Sequence, residues 1–227
     1  MSSEMPPAGR DPAAAKLQIL ATEHWSLLAT RSLTYTESFS RVTIFLTILS
    51  GAVIALALVA QVSHFGRAFI AIAIPLLAVV VVTGISTIAR LMRLNHDDFL
   101  WVVGMNRLRH AYLDLHPELA PYFLTSPYDD LPGVLQTLGI DIANTRRAGS
   151  WLHVIQVLPG MLSVIVASVV GAIGALAALA VGAPPWGVVL AAAAAFVIGM
   201  VWLTLWGRRA LRGGGPRLEP RFPSPSA

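Results

Sequence analysis

Four long apolar runs, arranged as two pairs around a polar middle, dominate the hydropathy pattern of this chain. The runs are Val42–Val62, Phe69–Ala89, Val154–Val181 and Trp186–Trp206. None of them contains an Asp, Glu, Lys, Arg or His. A helix needs roughly 20 apolar residues to cross a bilayer core about 30 Å thick. The pattern therefore predicts an all-α membrane protein with four transmembrane helices in two hairpins, at 42–89 and 154–206.

The segments outside the runs complete the predicted organisation. Residues 1–11 are rich in Pro and Ser and are predicted to be disordered. No Pro or Gly lies between Pro12 and Ser40, so we expect a cytosolic helix over 12–41 that leads into the first span. Residues 90–153 are expected to form a small helical cytosolic segment, whose first helix is capped by Asn95 or Asp97 and stopped by Pro117. Residues 207–227 are expected to form a disordered basic tail.

The basic residues indicate which side of the membrane these segments occupy. Of the 16 Lys and Arg residues, only Arg67 lies in the short turn inside either hairpin. Cytoplasmic segments of membrane proteins are enriched in Lys and Arg. We therefore expect both termini and the middle segment to be cytoplasmic, in a multi-pass protein of the cell's inner (cytoplasmic) membrane. An even number of spans requires the same arrangement.

Composition narrows the function classes further. The chain has no cysteine, which excludes disulfides and thiolate chemistry. The middle segment has slightly more acidic residues than arginines, so its charge does not favour nucleic acid. The positive excess lies in the tail beside the membrane, where anionic lipid headgroups are the expected partner. No nucleotide, cofactor or catalytic motif is present, so we expect neither a cofactor nor an enzyme.

Polar residues of the middle segment are the first candidates for chemistry. The cluster that we expect at the membrane interface is His96, Asp97, His110 and Asp114. The last two are four residues apart on one helix face and could supply half of a metal site. Because a site needs three or four ligands, an ion-paired, solvated face is the favoured interpretation. Adjacent Asp129 and Asp130 could act as an acid–base pair, or cap the short helix that we predict over Leu131–Leu138.

Small and hydroxyl-bearing residues of the spans are the second set of candidates. Those that could line a pore in an oligomer are Thr43, Thr47, Ser50 and Gly51, on one face of the first span. The alternative is that they pack against other helices.

Two further features of the spans concern helix shape and packing. Pro75 could kink the second span, either as part of a gate or as a kink that neighbouring helices accommodate. A ridge of small residues, each four apart, predicts close helix packing in the third span and consists of Ser163, Ala167, Gly171 and Ala175.

The helix over 12–41 carries an apolar stripe of its own. The stripe consists of Leu17, Leu20, Ala21, Trp25 and Leu28. It could bind a membrane surface or a partner protein, or it could pack on the middle segment.

Two stretches carry a resemblance to known proteins. They are TEHWSLLATRSLTYTESFSR (Thr22–Arg41) and NRLRHAYLDLHPELAPYF (Asn106–Phe123), and they are similar to a group of uncharacterised bacterial integral membrane proteins. The layout of a cytosolic helix running into a transmembrane hairpin also resembles the SLATT membrane effectors. That resemblance implies pore formation in bacterial defence, but this chain departs from the SLATT layout by having a second hairpin.

Three functions follow from these observations. The favoured one is a non-enzymatic scaffold or regulatory subunit whose cytosolic helices bind a partner protein or a second copy. The second is an oligomeric channel or pore-forming effector. The third is a membrane enzyme that acts on lipid, which rests on the His and Asp cluster alone.

Overall fold

The computed structural model describes residues 12–139, 158–213 and 219–225, and these residues are mostly helical. The helices are α1 (Pro12–Ser63), α2 (Arg67–Leu115), a 3₁₀ helix (Pro117–Tyr122), α3 (Leu131–Thr137), α4 (Leu158–Ala180) and α5 (Pro185–Gly213). The described ranges contain no β-strand. The predictions made for residues 1–11, 140–157, 214–218 and 226–227 lie outside these ranges.

Four of the helices are long and apolar enough to cross a membrane. They are α1, α2, α4 and the part of α5 from Pro185 to Arg209. At most 28% of the most apolar stretch of each of these helices is buried inside the protein. Apolar surface that the protein itself leaves uncovered has to be covered by lipid or by another protein. The chain is accordingly a multi-pass membrane protein by length and composition.

Two helices extend further than the sequence predicted. We expected α2 to end near Ala89 and a new helix to be capped by Asn95 or Asp97, but α2 runs unbroken to Leu115. No Pro lies between Pro75 and Pro117, and Leu91 and Leu94 continue the buried face of Ile88 beyond the predicted end of the span. At the other end of the chain, α5 continues to Gly213, where we had predicted a disordered tail from residue 207.

The described residues belong to two compact units. The polar unit, as we call it, contains residues 12–34, 97–139 and 219–225. The apolar unit contains residues 35–96 and 158–213. Both α1 and α2 therefore contribute one part of their length to each unit.

The core of the apolar unit is formed by α1, α2, α4 and α5. Its fully buried side chains include Phe45, Val80, Ile88, Leu91, Leu162 and Val166. Gly84 of α2 lies where α1 and α4 approach it, because a Cβ placed there would contact Val166 and would lie 3.0 Å from Cε2 of Phe45. A smaller cluster of Ala60, Phe69 and Ala73 packs beside the turn between α1 and α2.

Small residues line the contact between α4 and α5. A Cβ on Gly171 would lie 3.1 Å from the Ala192 carbonyl oxygen, and one on Gly174 would lie 2.6 Å from the Ala195 Cβ. Ala167, another member of the predicted ridge, is fully buried and lies against Gly199 of α5. Ser163 donates a hydrogen bond to its own helix, at the Pro159 carbonyl, and Ala175 is half-buried. The two helix backbones therefore approach closely because several positions lack a side chain.

The candidate pore-lining residues lie on the outer surface of the apolar unit. Thr43, Thr47, Ser50 and Gly51 are all exposed. The two Thr hydroxyls donate to carbonyl oxygens one turn earlier, at Phe39 and Thr43. These hydroxyls could line a passage only where another copy of the chain covers this face.

Pro75 is exposed on α2, which remains helical on both sides of it. A kink or a gate at this residue stays a prediction.

Glu37 joins α1 to α2 by ion pairs. Its carboxylate accepts two hydrogen bonds from Arg90, at 2.9 and 3.0 Å, and one of 2.8 Å from Arg41. The hydrogen bonds from Arg90, followed by those from Arg41, hold the pKa of Glu37 at about 2, so it is ionised near neutral pH.

We predict that Gly174→Ala destabilises the apolar unit, because the added methyl group overlaps Ala195 and the Ala191 carbonyl oxygen. Overpacking of this kind costs roughly 1–3 kcal/mol. Thermal unfolding of the purified protein in nanodiscs measures the change. Gly51→Ala is the matched control, since a Cβ there has no atom within 4 Å. Equal melting temperatures for the two variants would contradict the packing of α4 on α5.

Candidate functional site

A buried asparagine organises the interior of the polar unit. Asn106 of α2 is fully buried, and its Nδ2 donates to the Tyr128 carbonyl oxygen at 2.7 Å. Its Oδ1 accepts from Arg109 Nη1 at 2.7 Å and from the Thr137 hydroxyl at 3.0 Å. Buried polar groups are costly unless they are hydrogen-bonded. Asn106 thus links α2 to the loop after the 3₁₀ helix and to α3.

That loop is shaped by short-range hydrogen bonds before α3. Asp130 is the N-cap of α3 and accepts from the Gly133 amide at 3.0 Å, so the predicted capping role is confirmed. Ser126 is buried, and its hydroxyl accepts from the Tyr128 amide. Gly133 has no room for a side chain, because a Cβ would lie 2.9 Å from both the Asp130 Oδ1 and the Ser126 hydroxyl oxygen.

Asp129 connects this loop to the C-terminal segment. Its side chain is completely buried and accepts from Arg107 Nε of α2 at 2.7 Å. The same carboxylate accepts the backbone amides of Arg221 at 3.0 Å and of Phe222 at 2.8 Å. In return the Asp129 amide donates to the Phe222 carbonyl oxygen at 3.1 Å. One carboxylate therefore fixes the main chain of the C-terminal segment.

Asp130 and His110 hold the rest of the segment. Asp130 Oδ2 accepts both the amide of Ser224, at 2.8 Å, and the Ser224 hydroxyl. The Phe222 ring stacks on the His110 ring with centroids 4.1 Å apart and planes 22° apart. We call Arg107, His110, Asp129 and Asp130 together the carboxylate site. It binds residues 221–224 through their backbone, one aromatic ring and one hydroxyl.

Hydrogen bonding keeps both aspartates ionised. Burial by itself raises the pKa of Asp129, but the amides of Arg221 and Phe222 and the guanidinium of Arg107 outweigh it and lower the pKa. Burial likewise raises the pKa of Asp130, and the hydroxyl and amide of Ser224 with the Gly133 amide lower it. Most of these donors belong to the C-terminal segment, so the charge of the site is stabilised by its occupant.

A second polar group lies between α1 and α2 in the same unit. Arg31 donates to Asp98 at 2.7 Å, and Tyr112 stacks between His24 and Phe123. Burial, with a smaller contribution from the Arg109 charge, lowers the pKa of His24. Arg109 itself is buried, and its one side-chain hydrogen bond in the described ranges goes to Asn106. This group joins the helices by a mixture of stacking and charge.

The residues of the predicted interfacial cluster take separate roles. His110 and Asp114 do approach each other, with 3.7 Å between Nε2 and Oδ1, but the His110 ring is stacked on Phe222. His96 belongs to the apolar unit and Asp97 to the polar unit. Within the described ranges, no three His, Asp or Glu side chains are grouped so that they could hold a metal ion.

Sequence reasoning missed the C-terminal half of the site. It treated the tail as a basic tether, although Phe222 and Ser224 bind the loop. The available signal was a lone aromatic residue between prolines and hydroxyls in an otherwise apolar-poor tail. Asn106 and Arg107 were also missed as site residues, since a single polar residue on an amphipathic helix has no distinctive spacing.

Part of the surface of the polar unit is apolar and uncovered. Trp25 is 71% exposed, and Leu17 and Leu28 of the predicted stripe are also exposed. The side of α1 that packs instead includes Leu27, which contacts the position of Gly104 on α2. Tyr122 is 79% and Leu124 is 96% exposed on the loop side of the unit. Exposed apolar groups of this kind are typical of protein or membrane contacts.

No protein-family model matches this chain, and no curated protein or solved structure is significantly similar to it. The resemblances noted from the sequence therefore stay predictions.

We predict that Asn106→Ala destabilises the polar unit, because it leaves the Tyr128 carbonyl, Arg109 and Thr137 without their buried partner. Unsatisfied buried groups cost about 1–3 kcal/mol each. Tyr128 and Thr137 are only half-buried and can bind water, so we expect a total loss of roughly 2–4 kcal/mol. Proteolysis of the loop at 123–130 in folded, nanodisc-embedded protein should become faster. Asn95→Ala on the exposed side of α2 is the control and should leave the rate unchanged. An unchanged rate for Asn106→Ala would contradict its central position.

We also predict that acid releases the C-terminal segment. The pKa values of Asp129 and Asp130 are lower in the bound state than the ordinary value of 3.8. Their contribution to binding is therefore complete above about pH 5 and is lost as the pH falls through their lowered pKa values. Because the chain has no cysteine, a spin label at Glu219→Cys is unique and reports release as increased mobility.

Two controls separate this release from unfolding. A spin label at Ser26→Cys, exposed on α1, should keep its mobility over the same pH range. Asp129→Asn should mobilise the label at residue 219 already at neutral pH. In the otherwise unchanged chain, a label at residue 219 that is already as mobile at pH 7 as it is after acid release would disprove binding of the C-terminal segment by the carboxylate site.

Proposed function

We propose that this chain is a non-enzymatic scaffold or regulatory subunit of a bacterial inner membrane. It has two transmembrane hairpins, formed by α1 with α2 and by α4 with α5. Both termini and the middle segment lie in the cytoplasm, and the polar unit binds a partner protein.

One observation carries the proposal. Residues 12–34, 97–139 and 219–225 belong to one compact unit, although candidate spans separate them in sequence. Segments that fold together have to lie on the same side of a membrane. This requires an even number of crossings between each pair of segments, which is what two hairpins provide. The distribution of Lys and Arg favours the cytoplasm as that side.

The surface and interior of the polar unit favour binding over catalysis. Its buried Asn106, Arg109, Ser126 and Asp129 are hydrogen-bonded within the unit or to the C-terminal segment. Its exposed apolar residues include Trp25, Tyr122 and Leu124. A protein partner would cover these residues.

The topology is tested by cysteine accessibility in intact cells. We expect Ala183→Cys, in the turn between α4 and α5, to react with an impermeant maleimide from outside. Ser26→Cys, Leu124→Cys and Glu219→Cys should react only after the membrane is permeabilised. Labelling of residue 219 but not of residue 26 in intact cells would refute the shared side.

The partner is tested by photo-crosslinking in living cells. A photoreactive amino acid at Leu124 or Tyr122 should give a discrete adduct with another protein. Val82 is the control, since it is 67% exposed within the apolar run of α2 and should contact lipid. Identical adducts from Val82 and Leu124, or none from either residue in the polar unit, would contradict partner binding there.

An oligomeric pore is the second candidate, and the exposed hydroxyl-bearing face of α1 favours it. Purified protein in sealed liposomes should then conduct ions, and Thr47→Leu or Ser50→Leu should change the ion flux. An ion flux that neither substitution changes would contradict a pore lined by this face of α1. A lipid-modifying enzyme has less support, because His110, the candidate general base, is stacked on Phe222.

A further inference from the structure

The contacts of residues 221–224 have the form of peptide recognition. Five hydrogen bonds join this short segment to Asp129 and Asp130, and four of them use the main chain of the segment. Main-chain hydrogen bonds supply affinity for extended peptides, and side-chain contacts supply specificity.

Three residues of the segment explain its specificity. Phe222 contributes the ring that stacks on His110. Pro223 has no amide hydrogen, so the backbone between Phe222 and Ser224 has no donor that would need an acceptor. Ser224 contributes the hydroxyl that donates to Asp130. A ligand of this site therefore needs an aromatic–proline–hydroxyl sequence.

The segment remains accessible at the surface. Arg221, Pro223 and Pro225 are exposed, and Phe222 and Ser224 are half-buried. Only the five residues 214–218 separate it from the end of α5, so it competes at high effective concentration with any ligand that arrives from outside. Such a segment can be exchanged without disturbing the buried Asn106 interactions.

We propose that the carboxylate site is a peptide-binding site for Phe-Pro-Ser segments, that residues 219–225 occupy it in cis, and that the partner protein displaces them by presenting a segment of the same chemistry. The identity of the displacing ligand as a partner protein rests on the proposed function. Peptide binding itself does not.

The test uses the full-length chain and a fluorescein-labelled peptide of residues 219–227. In nanodiscs, the Phe222→Ala, Ser224→Ala double variant has a weakened cis occupant and should bind the peptide at least tenfold more tightly than the unmodified chain. Fluorescence anisotropy measures both affinities. Equal affinities would overturn cis occupancy, and no binding to either protein would overturn the site.

Substitutions in the peptide keep the test independent of protein folding. Against the double variant, peptides with Phe222→Ala or with Ser224 phosphorylated should each bind at least tenfold more weakly. The phosphate cannot donate to Asp130 and adds negative charge beside it. His110→Ala in the double variant should also weaken binding. A scrambled peptide that binds as well as the original would show charge-driven adsorption. A phosphorylated peptide that binds as well would show that the Ser224 hydroxyl is not recognised, and either result would overturn the recognition.

A final step separates the two proposals. Excess unlabelled peptide is added to membranes in which Leu124 carries the photocrosslinker, with the phosphorylated peptide as control. Loss of the partner adduct with the unmodified peptide alone supports displacement at this site. Persistence of the adduct overturns the partner's use of the site but leaves partner binding intact. Peptide binding without any adduct overturns the proposed function and keeps the peptide site.

Discussion

The polar unit depends on the ion pair and hydrogen bonds of the completely buried Asp129 carboxylate. A buried charge is tolerated in a protein only when several donors surround it. Asp129 obtains one donor from α2, through Arg107, and two from the main chain of the C-terminal segment. The buried charge therefore requires three segments that are separated in sequence to meet at the Asp129 carboxylate. Asn106 completes the connection by joining α2 to the preceding loop and to α3.

The two longest helices, α1 and α2, each contain an apolar part and a polar part. Hydrocarbon cannot satisfy backbone hydrogen bonds, so an apolar segment that crosses it has to remain helical. In α1 and α2 the helix continues beyond the apolar run, and the continuation carries His24, Arg31, Asn106 and Arg109. Each of these helices thus combines a lipid-compatible part with a part whose polar residues pair within the polar unit. The bilayer accounts for the apolar part of each helix, and polar pairing accounts for the part that continues beyond it.

The sequence predicted the features that depend on local pattern. Long apolar runs predicted the four helices, the Asp before Leu131 predicted the cap of α3, and Pro117 predicted the end of α2. It failed where the outcome depends on distant partners. The helix start at Asn95 or Asp97 was a sound local prediction, but buried Leu91 and Leu94 keep α2 continuous. The tail looked disordered because nothing local reveals that Asp129 and Asp130 accept the hydrogen bonds of its amides. Similarly, the stripe containing Trp25 has helical periodicity, yet α1 packs through the neighbouring side that carries Leu27.

The most direct measurement of this account is the nuclear Overhauser effect between the rings of Phe222 and His110, in full-length protein embedded in nanodiscs with only Phe and His labelled. The ring centroids lie 4.1 Å apart, so strong cross-peaks are expected near neutral pH. Their disappearance in Asp129→Asn would tie the ring contact to the buried carboxylate. Random-coil shifts for Phe222, with no cross-peak to His110 in a folded protein, would contradict the docking of the C-terminal segment and the arrangement of the polar unit derived from it.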